Sequence, residues 1–224
     1  MQVRRHAANP QVQASTVLIM LPGALQHPDD FIDAGFLRAI KNRALPLDLH
    51  LADFDVEIVA DITSLTTLQQ IDAILIQPAI HAGYANIWLA GISMGALMAL
   101  AYTDYRAQQV QGLCLLSPYP GNRLLLREIA AAGGLSAWQA GKEAELDAER
   151  RMWRRLQQPA GLGTIHLGYG SQDRFLDGLQ QLAQALADAA TDIAVDVIKG
   201  GHDWPTWEKL WCDFLDQTFS LKPI

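Results

Sequence analysis

The sequence contains very little cysteine, with Cys114 and Cys212 as the only two in 224 residues. Cys114 lies in the apolar run 110–116, and Cys212 lies in a helical pattern near the end of the chain. Because a free cysteine packs like a small apolar residue, we expect both to be buried. So few cysteines argue against a disulfide framework and against a cysteine-ligated metal site, and they favour a cytoplasmic location.

Long apolar runs are also missing from the sequence. The first run, residues 17–21, is too short for the central region of a signal peptide and is stopped by Pro22. The other runs fall well short of the roughly 18 residues that a membrane span needs. The sequence therefore predicts neither export nor insertion into a membrane.

Basic residues are fewer than acidic ones, 17 against 24, which gives a formal net charge of −7. Binding to nucleic acid requires a basic surface that neutralises phosphates, so we expect no nucleic-acid partner. Half of the residues are apolar, and a chain of 224 residues lies within the ordinary range of one domain. We therefore expect residues 1–224 to form a single domain.

Six short apolar runs predict buried strands, and segments with helical spacing lie between most of them. The predicted strands are residues 16–21, 47–54, 86–90, 110–116, 164–169 and 193–198. Strands that alternate with helices require right-handed crossovers, which place parallel strands side by side. The sequence therefore predicts an α/β fold, with a mostly parallel central sheet of about six strands and helices on both faces.

Residues 118–163 interrupt this alternation, because no strand is predicted among them. Two helices are predicted instead, over residues 123–132 and 137–157, with two glycines between them. The second helix carries a positive patch formed by Arg150, Arg151, Arg154 and Arg155. One interpretation is a solvated, charged helix face; the other is a small helical cap above the site, whose arginines attract anionic substrates.

The strongest functional signal is the sequence Gly-Ile-Ser-Met-Gly at positions 91–95. It lies between the strand that ends at Ala90 and the helix that begins near Met94. A serine nucleophile must project from a sharp turn between a strand and a helix, and glycines two positions before and after it leave room there. The alternative is an ordinary tight turn that contains a serine. The strand and helix on either side favour Ser93 as a nucleophile.

An acid and a base follow Ser93 in chain order. Asp173 comes just after the strand 164–169, and His202 lies in a Gly-Gly-His loop after the strand 193–198. Catalytic groups of open α/β sheets lie at these carboxyl ends of strands. Taken alone, an aspartate after a strand is more often a helix cap. The order serine, aspartate, histidine favours His202 as general base and Asp173 as the acid that orients it.

The turn after the first predicted strand is the fourth element of the candidate site. A tetrahedral intermediate carries a negative oxygen, which preorganised backbone N–H groups stabilise. The amide of Met94 is one expected donor and the amide of Ala24 is the other, with Leu25 as second choice. Pro22 has no N–H and cannot contribute. The alternative for residues 21–24 is a plain turn that ends a strand.

These four features together resemble the α/β-hydrolase superfamily, in particular its small serine esterases and acyl hydrolases. The spacings, 80 residues from Ser93 to Asp173 and 29 from Asp173 to His202, are compatible with it. Two features depart from it: Pro22 and Gly23 stand where members often have His-Gly, and the leading strands of larger members are missing. The resemblance implies hydrolysis of a small-molecule acyl ester through an acyl-enzyme, with no metal or organic cofactor.

Other functions remain open beside ester hydrolysis. A thioesterase would use the same residues, and an acyltransferase, a lactonase or a carbon–carbon bond hydrolase can be built on the same fold. A non-catalytic binding protein would normally have lost one member of the triad, whereas all three candidates are present.

Three tryptophans follow the candidate histidine. Trp204, Trp207 and Trp211 are spaced by three and four residues, so they share one helix face. One interpretation is core packing that anchors the histidine loop, and the other is a wall of the acyl pocket.

Overall fold

The computed structural model describes residues 1–7, 9–11, 14–55, 61–106, 108–158, 160–189 and 192–219. Its centre is one sheet of seven strands: β1 Gln2–His6, β2 Thr16–Leu21, β3 Leu47–Asp53, β4 Asn86–Ile92, β5 Gly112–Leu116, β6 Thr164–Gly170 and β7 Ile193–Ile198. The strand order across the sheet is β1-β3-β2-β4-β5-β6-β7. β1 pairs antiparallel with β3, and the other neighbouring pairs are parallel. The predicted α/β fold with a mostly parallel sheet is therefore confirmed.

β1 is the strand that the sequence pattern does not reveal. Its five residues show no clear alternation of polarity, and Arg4 and Arg5 place two charges side by side in it. β1 lies at the edge of the sheet, where charged side chains help to prevent pairing with another chain. The sheet therefore has seven strands, against the expected number of about six.

Helices cover both faces of the sheet. In chain order they are α1 Pro28–Asp33, α2 Phe36–Asn42, α3 Leu65–Gln70, a π-helix Ile71–Ile76, α4 Gln77–His81, α5 Met94–Tyr105, α6 Arg123–Ala131, a 3-10 helix Lys142–Glu145, α7 Ala148–Gln157, α8 Leu176–Ala189 and α9 Trp204–Thr218. Gly35, with a φ of 81°, separates α1 from α2 by a left-handed turn. No helix in the described part of the chain is both long enough and apolar enough to cross a membrane.

The central strands are buried on both faces. In β2, Val17 and Ile19 belong to the core that lies beneath α5, α7 and α8, whereas Leu18 and Met20 belong to the core beneath α1, α2 and α9. All four side chains are fully buried. Burial on both faces explains why the parallel strands read as continuous apolar runs. The carboxyl ends of these strands meet at one edge of the sheet, and the candidate site residues follow them.

The segment 118–163 differs from the prediction in its second helix. That helix begins at Ala148 and not near residue 137, because Gly141 has a φ of 71° and Asp147 provides a cap for the later start. The cap is a hydrogen bond from the amide of Glu149 to Oδ1 of Asp147, at 2.8 Å. α7 packs against α5 within the helical layer that covers the sheet.

Three of the four arginines of α7 form ion pairs with acidic side chains of the same protein. Arg151 and Arg154 donate to Asp104 of α5 at 2.8 Å and 2.6 Å, and both also donate to Glu145. Arg150 similarly pairs with Glu128, and Arg155 donates to backbone carbonyl groups. These bonds attach α7 to the helix that follows Ser93. The expected patch is therefore neutralised, and its arginines are not free to attract an anionic substrate.

Candidate active site

Ser93 occupies the turn between β4 and α5. Its backbone φ is 52° and its ψ is −112°, a strained conformation for a residue with a side chain. Its amide donates to the carbonyl oxygen of Leu116 at 3.0 Å, and its own carbonyl oxygen accepts from the amides of Leu97 at 3.1 Å and Tyr119 at 2.9 Å. This backbone is the sharp turn from strand to helix that presents a serine nucleophile.

Close backbone contacts explain the two glycines that flank Ser93. A Cβ atom at Gly91 would lie 2.4 Å from the carbonyl carbon of Gly95, and a Cβ atom at Gly95 would lie 2.2 Å from the carbonyl oxygen of Leu21. Both contacts involve backbone atoms, so no side-chain rotation can relieve them. The second contact also means that the end of β2 lies against the first turn of α5.

Asp173 lies in the loop that follows β6, and its side chain is fully buried. Its Oδ1 accepts a hydrogen bond from the amide of Phe175 at 2.9 Å, and its Oδ2 lies 2.8 Å from Nδ1 of His202. Burial by itself raises the pKa of the Asp173 carboxyl group, but the hydrogen bonds from His202 and Phe175 hold that pKa below its ordinary value. The group is therefore ionised at neutral pH.

His202 lies in the loop between β7 and α9, with aromatic rings on either side. Phe175 and Trp207 each meet its ring edge to face, with centroid distances of 5.2 Å and 5.1 Å. Because a carboxylate can only accept a hydrogen bond, Nδ1 of His202 carries the proton that it shares with Asp173. In the neutral imidazole this leaves Nε2 as the basic nitrogen, which is the tautomer that a general base requires.

Short contacts join the acid loop to the histidine loop. The amides of Ser171 and Gln172 donate to the carbonyl oxygens of Ile198 at 2.7 Å and Gly200 at 2.8 Å. A Cβ atom at Gly170 would lie 2.3 Å from the carbonyl oxygen of Gly200, so only glycine allows this approach. The two loops therefore hold each other at the distance that the hydrogen bond between the acid and the histidine needs.

The turn after β2 leaves the sheet beside the serine turn, because β2 and β4 are neighbouring parallel strands. The amide of Gly23 donates to Oε1 of Gln26 at 2.6 Å and is therefore occupied. Within the described ranges, the amides of Ala24 and Leu25 have no hydrogen-bond acceptor. The amide of Met94, the first residue of α5, has no partner within its helix. No described residue therefore occupies the N–H groups of Ala24 and Leu25, and no residue of α5 occupies that of Met94.

The structure brings two of the three candidate triad residues into direct contact. The hydrogen bond that the ring of His202 forms with described residues is the one to Asp173. Ser93 lies at the same edge of the sheet, but its Oγ has no hydrogen bond to His202 in this structure. Contacts between nucleophile and base are often long in free enzymes and shorten when a substrate binds.

A groove of about 620 Å³ opens beside Asp173. Tyr119 and Phe175 form an aromatic wall, with ring centroids 5.3 Å apart, and Leu126 of α6 contributes an aliphatic side chain. Arg123, Arg174 and Asp177 also line it. A second cavity, of about 680 Å³, lies between α6, α7 and α8, and no member of the triad lines it. Of these two cavities, the groove is the one that a candidate triad residue lines, through Asp173, although neither Ser93 nor His202 belongs to its lining.

Three residues that shape the site are not predicted from the sequence. Phe175 borders His202 and could have been found from its position two residues after Asp173. Tyr119 binds the carbonyl group of Ser93, and Gln26 occupies the amide of Gly23. Neither of these two carries a sequence signal, because each acts through a contact that only the folded chain makes.

Comparison with known proteins agrees with this architecture. The sequence model of the Esterase family matches residues 78–215, which is more than half of the chain. Among solved structures, an S-formylglutathione hydrolase from Staphylococcus aureus superposes with a TM-score of 0.66 at 15% identity, covering 93% of this chain and 84% of that one. Est1E from Butyrivibrio proteoclasticus gives 0.66 at 16% identity, covering 96% and 91%. No curated protein sequence matches the chain.

A further solved structure, an S-formylglutathione hydrolase from Agrobacterium tumefaciens, gives a TM-score of 0.64 at 13% identity and covers 96% of this chain and 87% of that one. At such low identities these structures show only that the fold is shared. The match of the Esterase sequence model to residues 78–215 shows the evolutionary relationship to that family. The chain therefore belongs to the Esterase family, and it is a carboxylic ester hydrolase with an α/β-hydrolase fold.

Proposed function

We propose that the chain hydrolyses small-molecule acyl esters with Ser93 as nucleophile, His202 as general base and Asp173 as the acid that orients the histidine. The observation that carries this proposal is the buried hydrogen bond between Asp173 and His202, at the same edge of the sheet as the strained turn of Ser93. A carboxylate that fixes the tautomer of a histidine near an activated serine is the arrangement of a catalytic triad.

The proposed reaction has two steps, the acylation of Ser93 and the hydrolysis of the acyl-enzyme. Ser93 Oγ attacks the acyl carbon while its proton passes to Nε2 of His202. The same proton then goes to the departing alcohol as the bond between carbon and oxygen breaks. A water molecule next gives a proton to Nε2 and attacks the acyl-enzyme, which releases the acid and returns the proton to Ser93. Asp173 stabilises the imidazolium in both steps.

The negative oxygen of each tetrahedral intermediate is stabilised by two backbone amides in this proposal. Met94 supplies one, because it opens α5 directly after the nucleophile and its amide has no partner in the helix. Ala24 supplies the other, with Leu25 as the second choice, because both amides lack an acceptor among the described residues. Removing one such donor typically costs about 10²–10³ in rate.

We propose that α6 and the loop before it form the substrate-facing wall of a single domain. Leu126 lines the groove beside Asp173, and the amide of Tyr119 is bound to the carbonyl group of Ser93. α7 is linked to this wall by Glu149, which accepts hydrogen bonds from Asn122 before α6, and α7 does not itself line the groove. In this proposal, the part of the expected cap over residues 118–163 that faces the substrate is its first helix.

We also propose a cytoplasmic location. Both cysteines are free in the described structure, Cys114 buried and Cys212 partly buried, as suits a reducing compartment. Cell fractionation tests this: the ester hydrolase activity should follow a cytoplasmic marker, and recovery with a secreted marker would contradict it.

A panel of acyl esters and acyl thioesters of graded length tests the proposed function. Ser93→Ala and His202→Ala should each lower kcat by about 10³-fold or more, because the triad members act as a unit. The matched control is Ser136→Ala, which changes an exposed serine that lines the second cavity and not the groove, and it should retain full activity. Near-normal turnover in Ser93→Ala would remove the serine from the mechanism. Faster turnover of thioesters than of esters would reassign the preferred substrate class.

A further inference from the structure

Two arginines line the groove beside Asp173 without forming an ion pair. Arg123 begins α6, Arg174 follows Asp173 directly, and both are exposed. Among the residues that the structure describes, no carboxylate oxygen lies within 4.0 Å of either guanidinium group. Two free guanidinium groups that share one concave surface are available to a ligand.

Six other arginines of the protein do form ion pairs. Arg43 pairs with Asp216 and Arg150 with Glu128, both at 2.6 Å, and the two central arginines of α7 pair with Asp104. The chain has 24 acidic and 17 basic residues, so acidic partners are plentiful. Arg5, Arg38, Arg127 and Arg155 likewise form no ion pair with described residues, but of these six unpaired arginines Arg123 and Arg174 are the two that line the groove.

Contacts between rings connect Arg174 to the catalytic histidine. The Cζ atom of Arg174 lies over the ring of Phe175, 4.9 Å from its centroid, and that centroid is 5.2 Å from the centroid of His202. These two distances together keep the guanidinium group within about 10 Å of the imidazole. A substrate whose ester group is attacked beside His202 can therefore reach Arg174 through a short spacer.

Two acidic residues also line the groove, so its formal charges balance, two positive against two negative. Asp173 also lines it, but both of its carboxyl oxygens are engaged by His202 and Phe175. Asp177, in the first turn of α8, is the further acidic residue of the lining. Between the charges, the aromatic and aliphatic wall of the groove suits a short hydrocarbon spacer and offers it little hydrogen bonding.

We infer that this groove recognises a carboxylate on the ester substrate, held by Arg123 and Arg174 while the ester group is cleaved at Ser93. The inference rests on the proposed function and adds the substrate class to it. A guanidinium group matches a carboxylate because its planar N–H donors can pair with both oxygens. The carboxylate belongs either to the acyl part or to the alcohol part of the ester, and two pairs of substrates separate these cases.

Each pair of substrates differs in charge and little else. The acyl arm compares the mono-4-nitrophenyl ester of adipic acid, which carries a free carboxylate, with neutral 4-nitrophenyl hexanoate. The alcohol arm compares 4-acetoxybenzoate with its neutral methyl ester. The measured quantity is the ratio of kcat/KM for the anionic ester to kcat/KM for its neutral partner, after subtraction of spontaneous hydrolysis.

The variants are Arg123→Gln, Arg174→Gln and the double substitution, with Arg127→Gln as matched control. Arg127 is an exposed arginine of the same helix that does not line the groove. In one of the two arms, the double substitution should lower the ratio by about fivefold, as expected for exposed charge pairs. Added salt should lower the ratio of the wild type toward that of the double variant. Arg127→Gln should leave the ratio unchanged.

The outcomes separate this inference from the function on which it rests. A fall of the ratio in either arm supports the inference and identifies the part of the ester that carries the carboxylate. Equal ratios for the wild type and the double variant in both arms overturn it, while turnover of the neutral esters by the wild type leaves the proposed function intact. A wild type that turns over none of the four esters overturns both.

Discussion

At the scale of single residues, the carboxyl group of Asp173 holds the ring of His202 in one orientation. Each of its oxygens accepts one hydrogen bond, from Phe175 and from His202, and the side chain is fully buried. The bond to Nδ1 fixes both the direction of the imidazole and the nitrogen that carries the proton. Without a carboxylate there, the histidine could present its protonated nitrogen to the serine.

Replacement of Asp173 by asparagine tests this role. Asp173→Asn keeps the size of the side chain but favours the wrong tautomer of His202, so kcat should fall by about 10⁴-fold. Asp177→Asn is the matched control and should retain turnover of neutral esters, because Asp177 is exposed and does not contact the histidine. If Asp173→Asn were harmless and Asp177→Asn severe, the acid of the triad would be Asp177. The measurement is steady-state kinetics with a neutral aryl ester.

The sequence signals of the candidate triad residues are local. Ser93 is marked by glycines two positions away on each side, and Asp173 and His202 each follow a strongly apolar strand. The arginines show the opposite case. Arg151 reaches Asp104, 47 positions away, and Arg123 and Arg174 line one groove only because the chain folds. Charge patterns along one helix therefore could not show which arginines are free.

At the scale of elements, α9 packs against the loop that carries His202. Trp207 is nearly buried and its ring lies against that of His202, whereas Trp211 stacks on Phe36 and donates from Nε1 to the carbonyl oxygen of Phe36 at 3.1 Å. Neither tryptophan lines the groove beside the triad. Of the two interpretations that the spacing allowed, core packing agrees with these contacts.

The two tryptophans make a matched pair of variants. Trp207→Ala and Trp211→Ala each remove a buried aromatic ring, which typically costs about 3–5 kcal/mol, so the melting temperature should fall by about 10 °C in both. Only Trp207→Ala should also lower kcat at a temperature where the variant is folded, because only Trp207 touches His202. Calorimetry and kinetics on the same samples separate the two effects. Equal loss of kcat in both variants would contradict the supporting role assigned to Trp207.

Element boundaries were harder to predict than element types. The start of α7 depends on Asp147, which also forms an isolated bridge with Ser64, a contact that no local pattern contains. β1 is short and charged and depends on pairing with β3. The central strands were recognised because burial on both faces makes them continuously apolar. The edge strand and the helix cap therefore depend on contacts with distant parts of the chain, whereas the central strands can be recognised from their own residues.

At the scale of the whole molecule, buried neutral histidines couple stability to pH. His50 in β3 is buried, with its ring edge to face against Tyr84. Burial lowers the pKa of His50 from the ordinary 6.5 to about 4, and the nearby Arg5 acts in the same direction. Burial also lowers the pKa of His166. The unfolded chain therefore takes up protons at a pH where the folded protein does not.

The sign of the effect follows from these pKa values. Above a pH of about 6.5, His50 is neutral in both the folded and the unfolded protein, so its titration does not lower the free energy of unfolding. As the pH falls from about 6.5 toward about 4, only the unfolded state is protonated, so His50 alone removes up to about 3 kcal/mol from the free energy of unfolding.

The melting temperature of the wild type should therefore fall as the pH is lowered from about 6.5 to about 4. In His50→Gln this fall should be smaller, because the histidine that titrates is gone. His81→Gln changes an exposed histidine and should show the same fall as the wild type. A wild-type melting temperature that stays level from pH of about 6.5 to about 4 would contradict the assignment.

The most direct test of the central claim is the position of a covalent adduct on the folded protein. A fluorophosphonate reacts with a serine only where a base activates it and an oxyanion site receives the phosphoryl oxygen. We predict that intact-mass analysis will show a single adduct on the wild type, that peptide mapping will place it on Ser93, and that Ser93→Ala will remain unmodified under the same conditions. An adduct on another residue, or equal modification of Ser93→Ala, would contradict the assignment of Ser93 as the nucleophile.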